Sequence, residues 1–328
     1  MFTNKLPLQI PSSSAPLLMV VIDTEEEFNW RAFPDRTKTS VSHLLQIDRV
    51  QAIFDEYRIT PCYVIDYPVA TKHEDNKRLR EISAAGRCEI GAHLHPWVNP
   101  PYSEMLSVAN MYPGNLSAEL EYSKLAVLST AIEQYFGFKP CVYKAGRYGF
   151  GPNTQRLLQE LGFSIDVSVC PPFDHRADGG PDYRTFSADP FWFGDNLLQL
   201  PVTGAFTGWA GPLAEPLFRL AQHLKQIKAP GVLSKLGAVD RLVLSPEGYT
   251  PDEHKKLTRH LINQGTRLFT WSFHSPSVEP GHTPYVRNMQ ELTVFLDSFR
   301  RYFDYFFGEL GGIATSPCQF RKLMEKKQ

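Results

Sequence analysis

The sequence predicts an α/β fold, a single β/α barrel of about seven or eight parallel strands. Three observations predict it. Short apolar runs alternate with amphipathic helical stretches along the chain. The first run, residues 17–22, is apolar throughout, as expected of a strand buried on both faces. No linker or internal repeat interrupts the alternation over 328 residues, so one domain is expected over 1–328, with a core over about 17–308 and a C-terminal extension over 309–328. A doubly wound open sheet is the alternative arrangement of the same elements.

After the first strand, residues 41–57 put Leu44, Ile47, Val50, Ile53, Phe54 and Tyr57 on one helical stripe, with Ser40 or Ser42 as N-cap. A strand at 62–65, a charged helix near 74–85 ending at Gly86 and a strand at 88–92 follow. Residues 96–115 are rich in Pro, Asn and Tyr and read as a long loop. A helix over 117–136 stops at Gly137. Strand 141–145, helix 153–161 and strand 165–169 make another β-α-β step, and 171–194 reads as irregular. Strand 197–202, helix 214–228 and strand 242–244 come next. Thr250-Pro251-Asp252-Glu253 forms a capping box with Pro at the first helical position. Strand 268–273 and a helix over 286–307 close the pattern.

Charge and composition narrow the function classes. Lys and Arg total 34 against 35 Asp and Glu, a formal charge of −1. That balance speaks against a nucleic-acid protein, which needs a basic face, and against a polybasic membrane anchor. No stretch approaches the ~18 apolar residues of a membrane span. The run 17–22 is followed at once by acidic residues, which does not suit a signal peptide. The five cysteines are scattered and form no Cys-x-x-Cys pair, so buried thiols are expected and a cytoplasmic location with them.

The residues able to do chemistry share a position. Asp23 and Glu25 follow the first strand, His93 and His95 the third, Lys144 and Arg147 the fourth, and His274 the last. In a β/α barrel those ends converge on one mouth, where active sites are built. Asp23 and Glu25, two apart, share a face if extended, so one can bind metal while the other acts as base. Glu26 and Glu27 read as structural. His93 and His95 leave a strand at i and i+2 and can aim two imidazoles at one ion. With one carboxylate they make a set suited to zinc or non-haem iron.

At these residues the chain resembles the polysaccharide deacetylase (NodB-homology) family, in its cytoplasmic branch with an Asp-x-Glu first motif. The segments that carry the resemblance are MVVIDTEEEF (19–28), CEIGAHLHPW (88–97), VYKAGRYGFGPNT (142–154) and FTWSFHSPSVEPGHTPYV (269–286), in family order. The resemblance implies a distorted β/α barrel and metal-dependent removal of acetyl groups from N-acetylated sugars. It implies Asp23 as catalytic base, His274 as the acid that protonates the leaving amine, and His93 as the first metal-binding histidine. Lys144 falls where many relatives carry an arginine that contacts the base, and Arg147 is a second candidate. Thr24 stands where the family has a second aspartate, so the metal carboxylate is Glu25. Trp97 stands where the family has its second histidine, so His95 supplies that imidazole.

A divalent ion, zinc by expectation, is the cofactor. No Gly-x-Gly-x-x-Gly or Walker loop occurs, so neither a nicotinamide nor a nucleotide cofactor is expected. An N-acetylated sugar or glycan is the expected partner, with no nucleic acid. Trp30, Trp97, Trp192 and Trp209 fall in expected loops, where they could stack on sugar rings, Trp97 and Trp209 foremost, or pack beneath the loops. His282 reads as loop-stabilising. Two other readings stay open: an allantoinase-like cyclic amide hydrolase, and a catalytically silent barrel that binds a glycan.

Overall fold

In this computed structural model, which describes residues 2–30, 32–224, 226 and 228–326, the strands of the first half are β1 (Leu6–Pro7), β2 (Leu17–Thr24), β3 (Cys62–Ile65), β4 (Glu89–Leu94), β5 (Val142–Ala145) and β6 (Ile165–Asp166). Those of the second half are β7 (Phe191–Phe193), β8 (Leu197–Gln199), β9 (Gly204–Thr207), β10 (Asp240–Val243), β11 (Leu268–His274) and β12 (Ile313–Ala314). The helices are α1 (Asp48–Glu56), α2 (Tyr67–Thr71), α3 (Lys77–Ala84), α4 (Ala118–Phe136), α5 (Thr154–Leu161), α6 (Ala214–His223), α7 (Ala229–Lys235), α8 (Pro251–Asn263), α9 (Met289–Phe303) and α10 (Pro317–Glu325).

The strands that read as apolar runs form the centre of the main sheet. Its order is β1-β7-β8-β6-β5-β4-β3-β2-β11. From β11 through β2, β3, β4, β5 and β6 to β8 every pairing is parallel, so seven parallel strands run in succession. β2 is buried almost end to end, as a strand covered on both faces must be. Parallel neighbours need a crossover, and helices supply it between most of them.

The two ends of the sheet approach each other. Thr203 N–H donates to Thr270 O, Leu244 N–H to Thr203 O, and Ser272 N–H to Leu244 O. β11 is therefore hydrogen-bonded on its second side too, without a regular ladder. These bonds give the barrel-like curvature that the alternation of elements predicts.

Several expected elements are corrected. The strand expected at 242–244 forms as β10 but pairs antiparallel with β9 in a separate two-stranded sheet, and Leu244, just past its end, is what bonds to β11. The start of β10, Asp240 and Arg241, is only half-buried, which suits a projecting hairpin. Residues 171–194 are mostly irregular but include β7, an antiparallel addition at the sheet edge. The stripe over 41–57 breaks at Ile47 into a 3-10 turn and α1. Helix 214–228 ends early, with α7 as a separate helix. The helix over 286–307 ends in a π-turn, Asp304–Glu309. The capping box at Thr250 and Glu253 forms as expected, and α4 is capped by Ser117 and stopped at Gly137 in the left-handed region.

The C-terminal segment is built into the fold. β12 adds to the start of β2, and α10 packs Phe320 and Met324 into a cluster with Met19, Val21, Val142 and Leu268. That cluster closes the end of the sheet opposite the strand C-termini. The five cysteines are free thiols; Cys62, Cys88 and Cys170 are buried.

Candidate active site

Strand register brings the polar residues together. Asp23 lies beside His274 on β11, and His93 lies beside Lys144 on β5. Asp23 is in register with Val64 and so with Gly91, so the two pairs stand two residues apart along the strands, both at their C-terminal end. Glu25, just beyond β2, falls on the Asp23 side by the two-residue alternation of extended chain. The sequence-predicted set Asp23, Glu25, His93, His95, Lys144 and His274 therefore converges on one site.

The first pair is Asp23 and Lys144. The buried ammonium Nζ of Lys144 donates to Asp23 Oδ1 at 2.5 Å and to Ser272 Oγ at 3.1 Å. Burial opposes ionisation of Asp23, but the Lys144 ammonium above all, with His274, outweighs it and holds the carboxyl below its ordinary range. Asp23 is a carboxylate at neutral pH.

The second pair lies across from it. His274 Nδ1 donates to Glu247 Oε2 at 2.6 Å, and its Nε2 faces Asp23 Oδ2 at 3.6 Å. Glu247 also accepts from the His274 main-chain N–H and from Ser277 Oγ–H. Burial would strip the proton from this imidazole, but the carboxylates of Glu247, Glu25 and Asp23 outweigh burial and push its pKa up to about 9. The Trp30 ring stands edge-on to it at 4.5 Å.

The third group consists of Glu25, His93 and His95. Glu25 Oε2 lies 3.5 Å from His93 Nε2 and 3.4 Å from His95 Nε2, all three side chains buried. Two ligands each about 2.1 Å from one tetrahedral ion lie about 3.4 Å apart, so these separations fit a zinc-sized cation. The second carboxylate oxygen, Glu25 Oε1, is buried without a partner. Burial, against the pull of His274, drives the Glu25 carboxyl well above its usual range, and the neighbouring Glu26, Asp23 and Asp66 add to that. A cation among the three donors relieves this cost. His93 Nδ1 donates to Lys144 O at 3.0 Å and His95 Nδ1 to Glu26 Oε2 at 2.8 Å, which assigns the tautomer that turns both Nε2 lone pairs inward. Burial lowers both imidazole pKa values, that of His95 to about 4, so both are neutral and competent as ligands.

Glu26, expected to be structural, orients the site: besides His95 it accepts from Trp97 Nε1 at 2.6 Å, and its main-chain N–H donates to Asp66 Oδ2 at 2.7 Å. Glu27 is pinned by Ser40, Ser42 and His43. His282 stands 3.6 Å from the same carboxylate and 3.7 Å from Glu279, in keeping with a loop-fixing role.

Some expected residues fall elsewhere. Arg147 does not touch Asp23. Its guanidinium lies over the Tyr112 ring and 3.3 Å from Asp178, and its own φ of 53° turns it along the pocket wall. Trp97 lines the pocket but is buried and stacked on His95 at 4.2 Å, so it offers little open face. Trp209 is 75% exposed and donates to Leu236 O, outside the pocket lining. Trp192, on β7, is buried with the Arg321 guanidinium over its ring. Glu247 and Asp66 were missed. Glu247 follows the expected strand 242–244, so the rule that located the other site residues would have found it.

The site opens into a cavity of about 770 Å³. Trp30, Tyr112, Tyr148, Phe173, Tyr249 and Tyr285 are among its lining residues. Trp30 Nε1–H is buried without a partner there.

Neither a protein-family model nor a curated relative matches this chain. A crystal structure from Mycobacterium smegmatis, of a protein assigned as a polysaccharide deacetylase, superposes with a TM-score of 0.55 at 17% identity, covering 100% of this chain and 96% of that one. The fold is that of the polysaccharide deacetylases. A 4-alpha-glucanotransferase from Thermococcus litoralis superposes with a TM-score of 0.51 at 10% identity, over 94% of this chain and 40% of its own. The deacetylase fold thus also resembles part of an enzyme with a different chemistry, and the side chains at the mouth must decide between activities.

Proposed function

We propose that this protein is a metal-dependent hydrolase that removes the acetyl group from an N-acetylated sugar or glycan. One observation carries the reading: a Glu25–His93–His95 donor set shares a single aromatic-walled mouth with a Lys144-held carboxylate and a Glu247-held imidazolium. The divalent ion those three donors suit, zinc by their chemistry, activates water near neutral pH and polarises an acyl oxygen when bound.

The chain's own groups supply the rest. Asp23, kept ionised by Lys144, is a base that accepts a proton from the attacking water. Lys144 also fixes which carboxylate oxygen is free, because Oδ1 is taken. His274, protonated up to about pH 9, carries a proton on Nε2 toward the reacting centre. An amide nitrogen does not leave as an anion, so that proton is what makes the amine a leaving group. Glu247 sets the ring orientation and keeps Nδ1 donating. The aromatic walls suit the apolar faces of sugar rings, and the unpartnered Trp30 N–H suits a sugar hydroxyl.

The test is acetate detection with the zinc-loaded protein over N-acetylhexosamines, their oligomers, and nucleotide- and lipid-linked forms. Acetate from at least one, abolished by a chelator, is the expected result. Ring opening of a cyclic ureide with no acetate from any sugar would overturn it.

A further inference from the structure

Between β9 and β10 the chain leaves the sheet for a helical excursion, residues 208–236, that the proposed chemistry does not use. Its inner face is ordinary: Ala214 and Phe218 of α6 pack with Ala238, Val239 and Phe206. Its outer face is not. Leu213, Leu220 and Leu224 recur seven and then four residues apart, on one helical stripe, and are 63%, 60% and 46% exposed. Val232 on α7 and Leu236, the residue that caps its C-terminus, are 51% and 64% exposed. The end of α7 returns to the start of α6, where Trp209 Nε1 donates to Leu236 O and leaves most of its indole in solvent. Scattered apolar side chains on a surface need no explanation, but a second apolar stripe on a helix already packed on its inner face does.

The charge around it points to the occupant. The whole chain is nearly balanced, yet residues 208–236 carry Arg219, Lys225, Lys228 and Lys235 against the single acid Glu215. Glu215 is paired with Arg184 at 3.2 Å. Arg219, Lys228 and Lys235 are exposed. Leucines and a tryptophan flanked by Arg219, Lys228 and Lys235, which have no ion pair among the described residues, are the composition of a helix that lies in a lipid headgroup region, where the apolar stripe enters the acyl boundary and the cations meet anionic lipid. A second copy of this chain would bring the same cations against themselves.

We propose that residues 208–236 dock this protein onto an anionic membrane surface. No helix among the described residues is long and apolar enough to cross a membrane, so the contact is interfacial. The excursion adjoins the cavity: the Arg241 guanidinium lies 4.1 Å from the ring of Phe173, in the cavity wall, and 5.0 Å from that of Phe218 on α6. Docking therefore brings the mouth toward glycans held at the bilayer. This last step rests on the deacetylase reading; the docking itself does not.

Flotation with vesicles tests the docking without any turnover. The protein is expected to float with vesicles of equimolar phosphatidylglycerol and phosphatidylcholine, less so at high salt, and not with phosphatidylcholine alone. Trp209 emission should shift to the blue on binding. Arg219→Glu with Lys228→Glu and Lys235→Glu should weaken binding by about a hundredfold. Trp209→Ser with Leu220→Gln and Leu236→Gln should weaken it as strongly. These side chains are exposed, and unchanged melting temperatures would exclude misfolding. Failure to bind anionic vesicles, binding retained in both triple variants, or a dimer in sedimentation that the apolar variant dissolves without any lipid binding in the parent would each overturn the proposal. Acetate release from soluble sugars by a variant that no longer floats separates the docking from the chemistry.

Discussion

At the scale of single residues, the proposed reaction divides its work between two held groups, and each can be removed separately. His274→Ala should keep full metal occupancy, because His274 is not among the ion's donors, while turnover falls by about 10²–10⁴-fold. The deficit should shrink on an activated aryl ester, whose leaving group needs no proton; an equal deficit on both substrates contradicts the role. Glu247→Gln tests the proton's affinity. Glu247 is the largest contributor holding the His274 pKa up at about 9 against burial. Its loss must lower that pKa, so the alkaline limb of the pH–rate profile should move to lower pH while the acid limb stays. The linkage sign agrees: a raised histidine pKa stabilises the fold fully below about pH 6.5, and that contribution is lost as pH rises through about 9. Position made Asp23, Glu25, His93, His95, Lys144 and His274 legible in the sequence, since each follows a strand that reads as buried. Glu247 was legible by the same rule, since it follows the strand expected at 242–244. Trp209 and Arg147 were misplaced because residue type does not say which way a loop turns.

At the scale of elements, the seam between α9 and β11 is where local sequence and packing agree best. Phe299 on α9 makes ring contacts with Phe54, Trp271, Phe273, Phe295 and Phe303. It joins α1, β11 and its own helix in one fully buried cluster. Phe299→Ala removes those contacts and leaves a cavity that rigid neighbours fill poorly. The expected cost is about 3–5 kcal/mol, read as a fall in the denaturant midpoint. A change below about 1 kcal/mol would mean the cluster collapses onto the gap. Helices with strong start signals were legible to within a residue, as Thr250 and Glu253 for α8 and Ser117 and Gly137 for α4. The break at Ile47 and the π-turn after Phe303 were not, because the apolar stripe continues through both and only the tertiary contacts select the local winding. β12 is two residues long, and pairing with β2, not propensity, makes it a strand.

At the scale of the whole molecule, the donors of the metal set clamp the sheet. Glu25 comes from the end of β2, while His93 and His95 come from β4 and the residue just beyond it. β3 lies between those strands, so an ion held by all three side chains spans three strands and is lost when any of them leaves. A ligand bound only by the folded state adds stability by mass action, about 2.7 kcal/mol at a hundredfold excess over Kd. Chelation should therefore lower Tm and abolish turnover while leaving far-UV circular dichroism unchanged at ambient temperature, and zinc should restore both. Burial pushes the Glu25 carboxyl well above its ordinary pKa without the ion, and only its ionised form is a ligand. Binding then competes with protons, so the Tm gain from zinc should be larger near pH 8 than near pH 6. Glu25→Gln keeps the shape but has no proton to lose, so its residual Tm gain should be small and its pH dependence over that range much flatter. A gain as large and as pH-dependent in Glu25→Gln as in the parent would show that the ion sits elsewhere.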